Sequence, residues 1–215
     1  MASDLMLKPA SELSALIKSL TVSARELLEE AVARYEMFNP AVNAITESRV
    51  EIAQERALAA DEATARGESW GPFHGLPVTI KEAYDWVGTP STWGNPEWSN
   101  NFPDADSPAV ERLLEAGAVI WAKTNVPYML ADWQSYNDLY GCTNNPWDLS
   151  RTPGGSSGGS AVALATGMAA LEIGSDIGAS IRNPAHYCGV FGHNPTMNLI
   201  PQHGHAPPGV ETVID

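Results

Sequence analysis

Apolar positions recur at helical spacing through the first third of the chain and then give way to short, dense runs. Within residues 23–38, Leu27, Leu28, Ala31, Val32 and Tyr35 fall on one face, the i, i+3, i+4 recurrence of an amphipathic helix. Ser23 and Glu26, three residues apart at its start, form a capping box. The same pattern predicts helices over 11–20 and over about 47–66, the last stopped by Gly67. Residues 1–69 are therefore expected to be a helical lead-in that packs on a core supplied by residues 70–215.

From residue 70 the period changes. Three short apolar runs, 78–81, 118–122 and 168–173, have the length of strands, and Glu172 is the one polar exception in the third. Between them lie two helices: 109–116, opened by Ser107-Pro108 and closed by Gly117, and an apolar stretch over 161–165 that ends near Gly167. Strand, helix, strand, helix, strand predicts an α/β fold with helices on both faces of a sheet. The Gly-, Pro-, Trp- and Asn-rich segment after Lys81 reads as a long loop bordering a site, in which Trp86, Trp93 and Trp98 line a pocket or simply pack the loop down.

Composition narrows the class of partner. A chain of 215 residues at 44 % hydrophobic is long enough to bury a substantial core. Its formal net charge of −14 carries no Lys/Arg cluster of the sort that nucleic acid or an anionic membrane surface requires. The expectation is accordingly no nucleic acid and no membrane, with a homo-oligomer open. No secretory leader and no uncharged span of membrane length is visible, which predicts a cytoplasmic protein with Cys142 and Cys188 reduced. His203 and His205, with His186 and His193, have no acidic or Cys ligand at metal-site spacing, so neither metal nor cofactor is expected.

The chemistry concentrates in two loops. Gly154-Gly155-Ser156-Ser157-Gly158-Gly159-Ser160 runs straight into a buried helix, unlike a linker, and Gly174-Ser175-Asp176-Ile177-Gly178-Ala179-Ser180 follows the third strand. Successive N–H groups in such turns can converge on one negative charge. The candidate base is Lys81, delivered at the end of an apolar run in Gly75-Leu76-Pro77-Val78-Thr79-Ile80-Lys81-Glu82. A lysine with the ordinary pKa of about 10.4 is protonated at neutral pH, so a base there needs burial or a cationic field, each unit of depression costing about 1.4 kcal/mol.

With these residues in order, the chain resembles the amidase signature family. The pieces are Gly75 to Glu82, Ala122-Lys123-Thr124-Asn125, Thr152 to Ala161, and Gly174 to Gly192, spanning about residues 73–196. The resemblance implies a mixed sheet flanked by helices and a Ser/cis-Ser/Lys triad of Ser180, Ser156 and Lys81. In the mechanism it implies, neutral Lys81 draws a proton through Ser156 from Ser180, which attacks an amide carbonyl to give an acyl-enzyme. Backbone N–H groups of Ile177, Gly178, Ala179 and Ser180 hold the oxyanion, with Ser157, Asp176 and Arg182 in support. The implied substrate is a small-molecule amide. Family members are considerably longer, so the expectation is an N-terminal portion of such a protein, incomplete at its C-terminal end.

The departures from the family pattern are Ala179 where glycine is usual, Tyr128 where Glu is frequent, and Gly192-His193-Asn194-Pro195-Thr196 in place of a GLKPT-like run. If position 179 needs a positive φ, its methyl costs about 1–2 kcal/mol. Gly154-x-Ser156-x-Gly158 also fits a nucleophile elbow with Ser156 attacking and a histidine as base. A phosphate-binding loop is not expected, because no Lys-Ser/Thr follows the glycines. Two other purposes use the same residues: the A-type component of a tRNA-dependent amidotransferase, or a remnant without activity.

Overall fold

The computed structural model describes residues 4–210, and the outermost ends of both expected segments, 1–3 and 211–215, lie outside them. Helix α1 (Ala10–Lys18) leads into α2 (Ala24–Val42), strand β1 (Ile45–Ser48) and α3 (Val50–Ala65). Strand β2 (Pro77–Lys81), α4 (Pro108–Glu115), β3 (Val119–Thr124), a two-residue ribbon of β4 (Tyr136–Asn137) and β5 (Gly141–Cys142), α5 (Gly158–Ala165), β6 (Leu171–Ile173) and α6 (Arg182–Cys188) follow. The main sheet has the order β1-β3-β2-β6, with β1 antiparallel to β3 and the other neighbours parallel, so it is mixed.

The two faces of β3 show the layering. Val119 and Trp121 pack into a cluster with Ala53, Ala57 and Ala60 of α3 and Ala161 and Val162 of α5. Ile120 joins Val78 and Ile80 of β2 and Val110 and Leu113 of α4. Alternate side chains of a strand point to opposite faces, so helices cover both sides. Full burial of a Val, Ile or Leu side chain is worth about 1.5–3 kcal/mol, and Val78, Ile80 and Val119 are fully enclosed. Trp121 is buried too, its indole N–H donating to Met168 O at 3.2 Å.

Several boundaries differ from the sequence expectation, for local reasons. The helix expected over 47–66 begins at Val50. Ile45–Ser48 is drawn into the sheet beside β3, while Asn39 Oδ1 accepts the Ala44 and Ile45 N–H groups at 2.8 and 2.9 Å and turns the chain. The segment expected to be helical throughout thus supplies an edge strand. Helix α2 runs past Pro40 and ends on Asn43 in the left-handed region at φ 48°. The third expected strand is paired only over Leu171–Ile173. Helix α5 starts inside the glycine loop, at whose second residue, Gly159, a Cβ would stand 2.4 Å from Asn125 N, so only a residue without one fits. Among the described residues, no helix is long and apolar enough to cross a membrane.

Candidate active site

The carboxyl ends of the parallel strands β3, β2 and β6 lie side by side, the place where open α/β sheets present their ligands. Strand β2 ends there in Lys81, β3 in Lys123 and Thr124, and β6 runs into the loop 174–180. The Ser156 loop enters from the amino end of α5.

Lys81 is fully enclosed. Its Nζ lies 2.7 Å from Ser156 Oγ and 2.8 Å from Ser175 Oγ, with Ser175 O at 3.5 Å. The Gly155–Ser156 peptide bond is cis. Ser157 ties the two loops together: its N–H donates to Ser180 O at 3.0 Å, its hydroxyl to Ser175 O at 3.2 Å, and it accepts the Ser175 N–H at 3.3 Å. Ser135 braces the glycine loop from outside, accepting Gly158 N–H at 3.0 Å and donating to Gly154 O at 3.1 Å.

The loop 174–180 is wound around Asp176. Its carboxylate accepts the N–H groups of Ala179, Ile181 and Arg182 at 2.7, 3.0 and 3.1 Å, and a bidentate pair from the Arg182 guanidinium at 2.9 and 2.8 Å. Burial works against the ionised form, but these donors outweigh it and hold the Asp176 carboxyl well below the usual carboxylate range. Trp133 Nε1 donates to Gly178 O at 2.9 Å from the outside. Ala179 sits at φ 78°, the condition under which its methyl is strained. Because the Ala179 N–H is spent on Asp176, the N–H groups left without a protein acceptor among the described residues are those of Ile177, Gly178 and Ser180. The Ser180 hydroxyl, on a residue 5 % exposed, also makes no hydrogen bond among them.

Three further titratable groups surround this centre. Glu172 accepts from Thr79 Oγ1 and, at 2.8 Å, from Thr124 Oγ1, and burial pushes its carboxyl up to about 7 against hydrogen bonds from Ser160, Thr79 and Thr124 and the charge of Lys81. Lys123 is buried with Nζ donating to Pro90 O at 2.7 Å and Ser91 Oγ at 3.1 Å. Burial pushes it down to about 8 against the pull of Glu82, Asp85 and Glu47. His205 stacks on Tyr84 and Trp93 at ring distances of 4.4 and 5.3 Å, and burial followed by the Lys81 charge pushes it down to about 3. Tyr84, Glu172, Ser175, Ile177 and His205 line a cavity of about 640 Å³ that opens beside the loop.

The candidates named from sequence thus converge in part. Lys81, Ser156 and Ser157 are in mutual contact with the loop that carries Asp176 and Ser180, and Arg182 pairs with Asp176. Ser156 Oγ is bonded to a lysine, and no histidine reaches it among the described residues, which leaves the elbow arrangement without its base. Trp86 and Trp93 are buried, the first beneath the Arg49 guanidinium and the second against His205. Ser175, Ser135 and His205 join the site without being expected there from sequence. Only the hydroxyl content of the Gly174–Ser180 stretch points to Ser175, and nothing local points to Ser135, which arrives from a different loop. Among the described residues, no group of three or more His, Cys, Asp or Glu side chains is placed to hold a metal.

The family model described as Amidase matches residues 26–215. The chain belongs to the amidase signature family. Among curated members of that family, the glutamyl-tRNA(Gln) amidotransferase A-subunit of Carboxydothermus hydrogenoformans is 40 % identical over 195 residues, covering 91 % of this chain and 40 % of that protein. Its counterpart in Acidothermus cellulolyticus is 40 % identical over 202 residues, 94 % of this chain and 40 % of that one. Among solved structures, the peptide amidase of Stenotrophomonas maltophilia superposes with a TM-score of 0.87 at 30 % identity, over 93 % of this chain and 42 % of that one. The amidase-signature chain therefore spans about two fifths of the length of the curated relatives it matches.

These relatives correct the expected partners. The family resemblance leads to the expectation of a small-molecule amide substrate, and the net charge of −14 to that of no nucleic acid, with a homo-oligomer open. The relatives are instead named as one component of a multi-subunit enzyme, the glutamyl-tRNA(Gln) amidotransferase. An acidic surface argues against direct contact with phosphates by that surface, but it does not bear on what the other components of an assembly carry.

Proposed function

We propose that this chain carries the amide-cleaving centre of a protein like the amidotransferase A-subunits, working with partner proteins and releasing ammonia from the side-chain amide of glutamine. The observation that carries the chemistry is the buried contact of 2.7 Å between Lys81 Nζ and Ser156 Oγ beside the Ser180 loop. Burial favours the neutral amine. Lys81 takes the Ser156 proton as Ser156 takes that of Ser180, and the Ser180 oxygen attacks the amide carbonyl. The oxyanion is held by the Ile177, Gly178 and Ser180 N–H groups. The proton returns through Ser156 to the departing nitrogen, leaving an ester on Ser180 that water opens. The setting within an assembly rests on the amidotransferase relatives at about 40 % identity. A cytoplasmic location suits the two free cysteines, Cys142 and Cys188.

The test is ammonia release. Full-length protein, with and without the other subunits of a glutamyl-tRNA(Gln) amidotransferase, is given glutamine, simple aliphatic amides or aryl amides. Release from glutamine that rises with the added subunits and is lost in Ser180→Ala supports the proposal. Hydrolysis of aryl or aliphatic amides that ignores both glutamine and the added subunits overturns the assembly setting, and no turnover with any amide favours an inert remnant.

A further inference from the structure

Glu172 is the one charged side chain in an otherwise apolar strand, and its surroundings are built to receive it. It pairs in register with Thr79 of β2, and Lys81, two residues further along β2, shares that face. Thr124 pairs with Lys81 from the other neighbouring strand. Thr79 and Thr124 each donate a hydroxyl to the Glu172 carboxylate, and Ser160, from the first turn of α5, bonds both Thr124 at 2.9 Å and Glu172. Three hydroxyls from three elements therefore cage one carboxylate on the face of the sheet that Lys81 shares. The proton relay proposed above makes no use of it.

We propose that Glu172 is a positioning residue that sets the charge state of Lys81, the caged carboxylate and the amine acting as one coupled pair. This rests on the functional reading above for its consequence in catalysis, but not for its physical content. An ionised Glu172 holds the proton on Lys81, and a neutral Glu172 releases the amine to serve as base. A carboxyl that titrates near 7 places that exchange in the range where the relay operates, and the two groups lose their protons in steps that belong to the pair.

The other charged groups nearby are already committed. Helix α5, which covers this face, carries no titratable side chain. Asp176 is paired with Arg182. His205, which lines the same cavity, is pushed down to about 3 by burial and then by the Lys81 charge. Lys123 pairs with Ile80 and so faces the opposite side, where Glu82, Asp85 and Glu47 attend it.

The experiment follows the Lys81 ¹⁵Nζ and Glu172 ¹³Cδ resonances of the 215-residue chain against pH, assigned by their loss in Lys81→Met and Glu172→Gln. A step shared by both nuclei in the unsubstituted chain is expected, and separate, independent steps overturn the inference. Gln keeps a carbonyl and an NH₂ that rotating hydroxyls can satisfy, so Glu172→Gln removes charge more than structure. It should move the Lys81 midpoint, and with it the acid limb of Ser180 acylation, to lower pH by on the order of one unit, a tenfold change in proton affinity. Glu172→Asp should move both back towards the original value. Superimposable curves for Glu172→Gln and the unsubstituted chain contradict the proposal, and if that variant does not fold the shared step decides alone. Should Ser180 never acylate while the two nuclei titrate together, the function proposed above fails and this coupling stands.

Discussion

Two lysines stand fully buried at the ends of neighbouring strands, on opposite faces of the sheet. Lys123 faces three carboxylates, Glu82, Asp85 and Glu47, and its Nζ is anchored to Pro90 O and Ser91 Oγ under the loop that follows β2. Lys81 instead meets the hydroxyls of Ser156 and Ser175, with Glu172 one cage away. Acidic neighbours favour the ammonium and hydroxyls support either form. On the function proposed above, the same residue type at the same depth serves as a structural cation in one place and as the base of the relay in the other. Burial alone does not make a base; the partners decide.

The largest effect that separates the two is on acylation. Lys81→Met should lower the rate of Ser180 acylation by several orders of magnitude in protein that remains folded, and the double variant with Ser156→Ala should be little worse than either alone, as for residues acting as a unit. Lys123→Met should leave the rate per folded molecule close to its original value. Its cost appears in denaturant unfolding, about 1–3 kcal/mol, because Pro90 O and Ser91 Oγ lose their buried donor. If both variants lose acylation equally while both stay folded, the contrast between the two lysines is wrong.

A smaller effect appears in the pH dependence of stability. Lys123 is pushed from 10.5 down to about 8 in the folded chain, so between these values the unfolded state binds more protons and stability rises with pH. Glu172 works in the other sense. Raised from 4.5 to about 7, it binds the extra proton in the folded state, and stability falls as pH rises through that window. Unfolding free energies should show the fall flattened in Glu172→Gln and the later rise flattened in Lys123→Met. Each contribution is at most about 3.4 kcal/mol, at 1.36 kcal/mol per unit. Profiles parallel to the original in both variants would remove the basis for treating these groups as buried ions.

The smallest effect concerns Ala179. At φ 78° its methyl is strained, and Ala179→Gly should raise stability by about 1 kcal/mol without a new contact. The Ala179 N–H should still reach Asp176, so the acylation rate should change by less than the Lys81 substitution by a wide margin. A loss of stability in Ala179→Gly contradicts the assigned backbone strain.

Both lysines are visible in the sequence as cations at the ends of apolar runs, yet their difference is not. It depends on strand register, which sets Thr79 against Glu172 and Lys81 against Thr124, and register is not written locally. The long amphipathic helices and the fully buried strands β2 and β3 are legible because hydrophobic period signals them. Strand β1 is not, since Ile45-Thr46-Glu47-Ser48 reads equally as the start of a helix until β3 pairs with it. Helix α6, seven residues long with Pro184 in its first turn, and the two-residue ribbon β4–β5 are too short for a periodic pattern to show. At the site, Lys81, Ser156 and Ser180 are reached through motif spacing, whereas Ser135 and His205 are brought in by tertiary contact from loops with no motif of their own.

The central claim is that Ser180 is the nucleophile and that a neutral Lys81 activates it through Ser156. Its most direct test is to treat the protein with a fluorophosphonate and locate the adduct by peptide mass mapping in the unsubstituted chain and in Lys81→Met. With Lys81 as the base, the adduct lies on Ser180, grows faster toward alkaline pH and is absent from Lys81→Met. An adduct on Ser156, or one on Ser180 that forms at the same rate without Lys81, would contradict it.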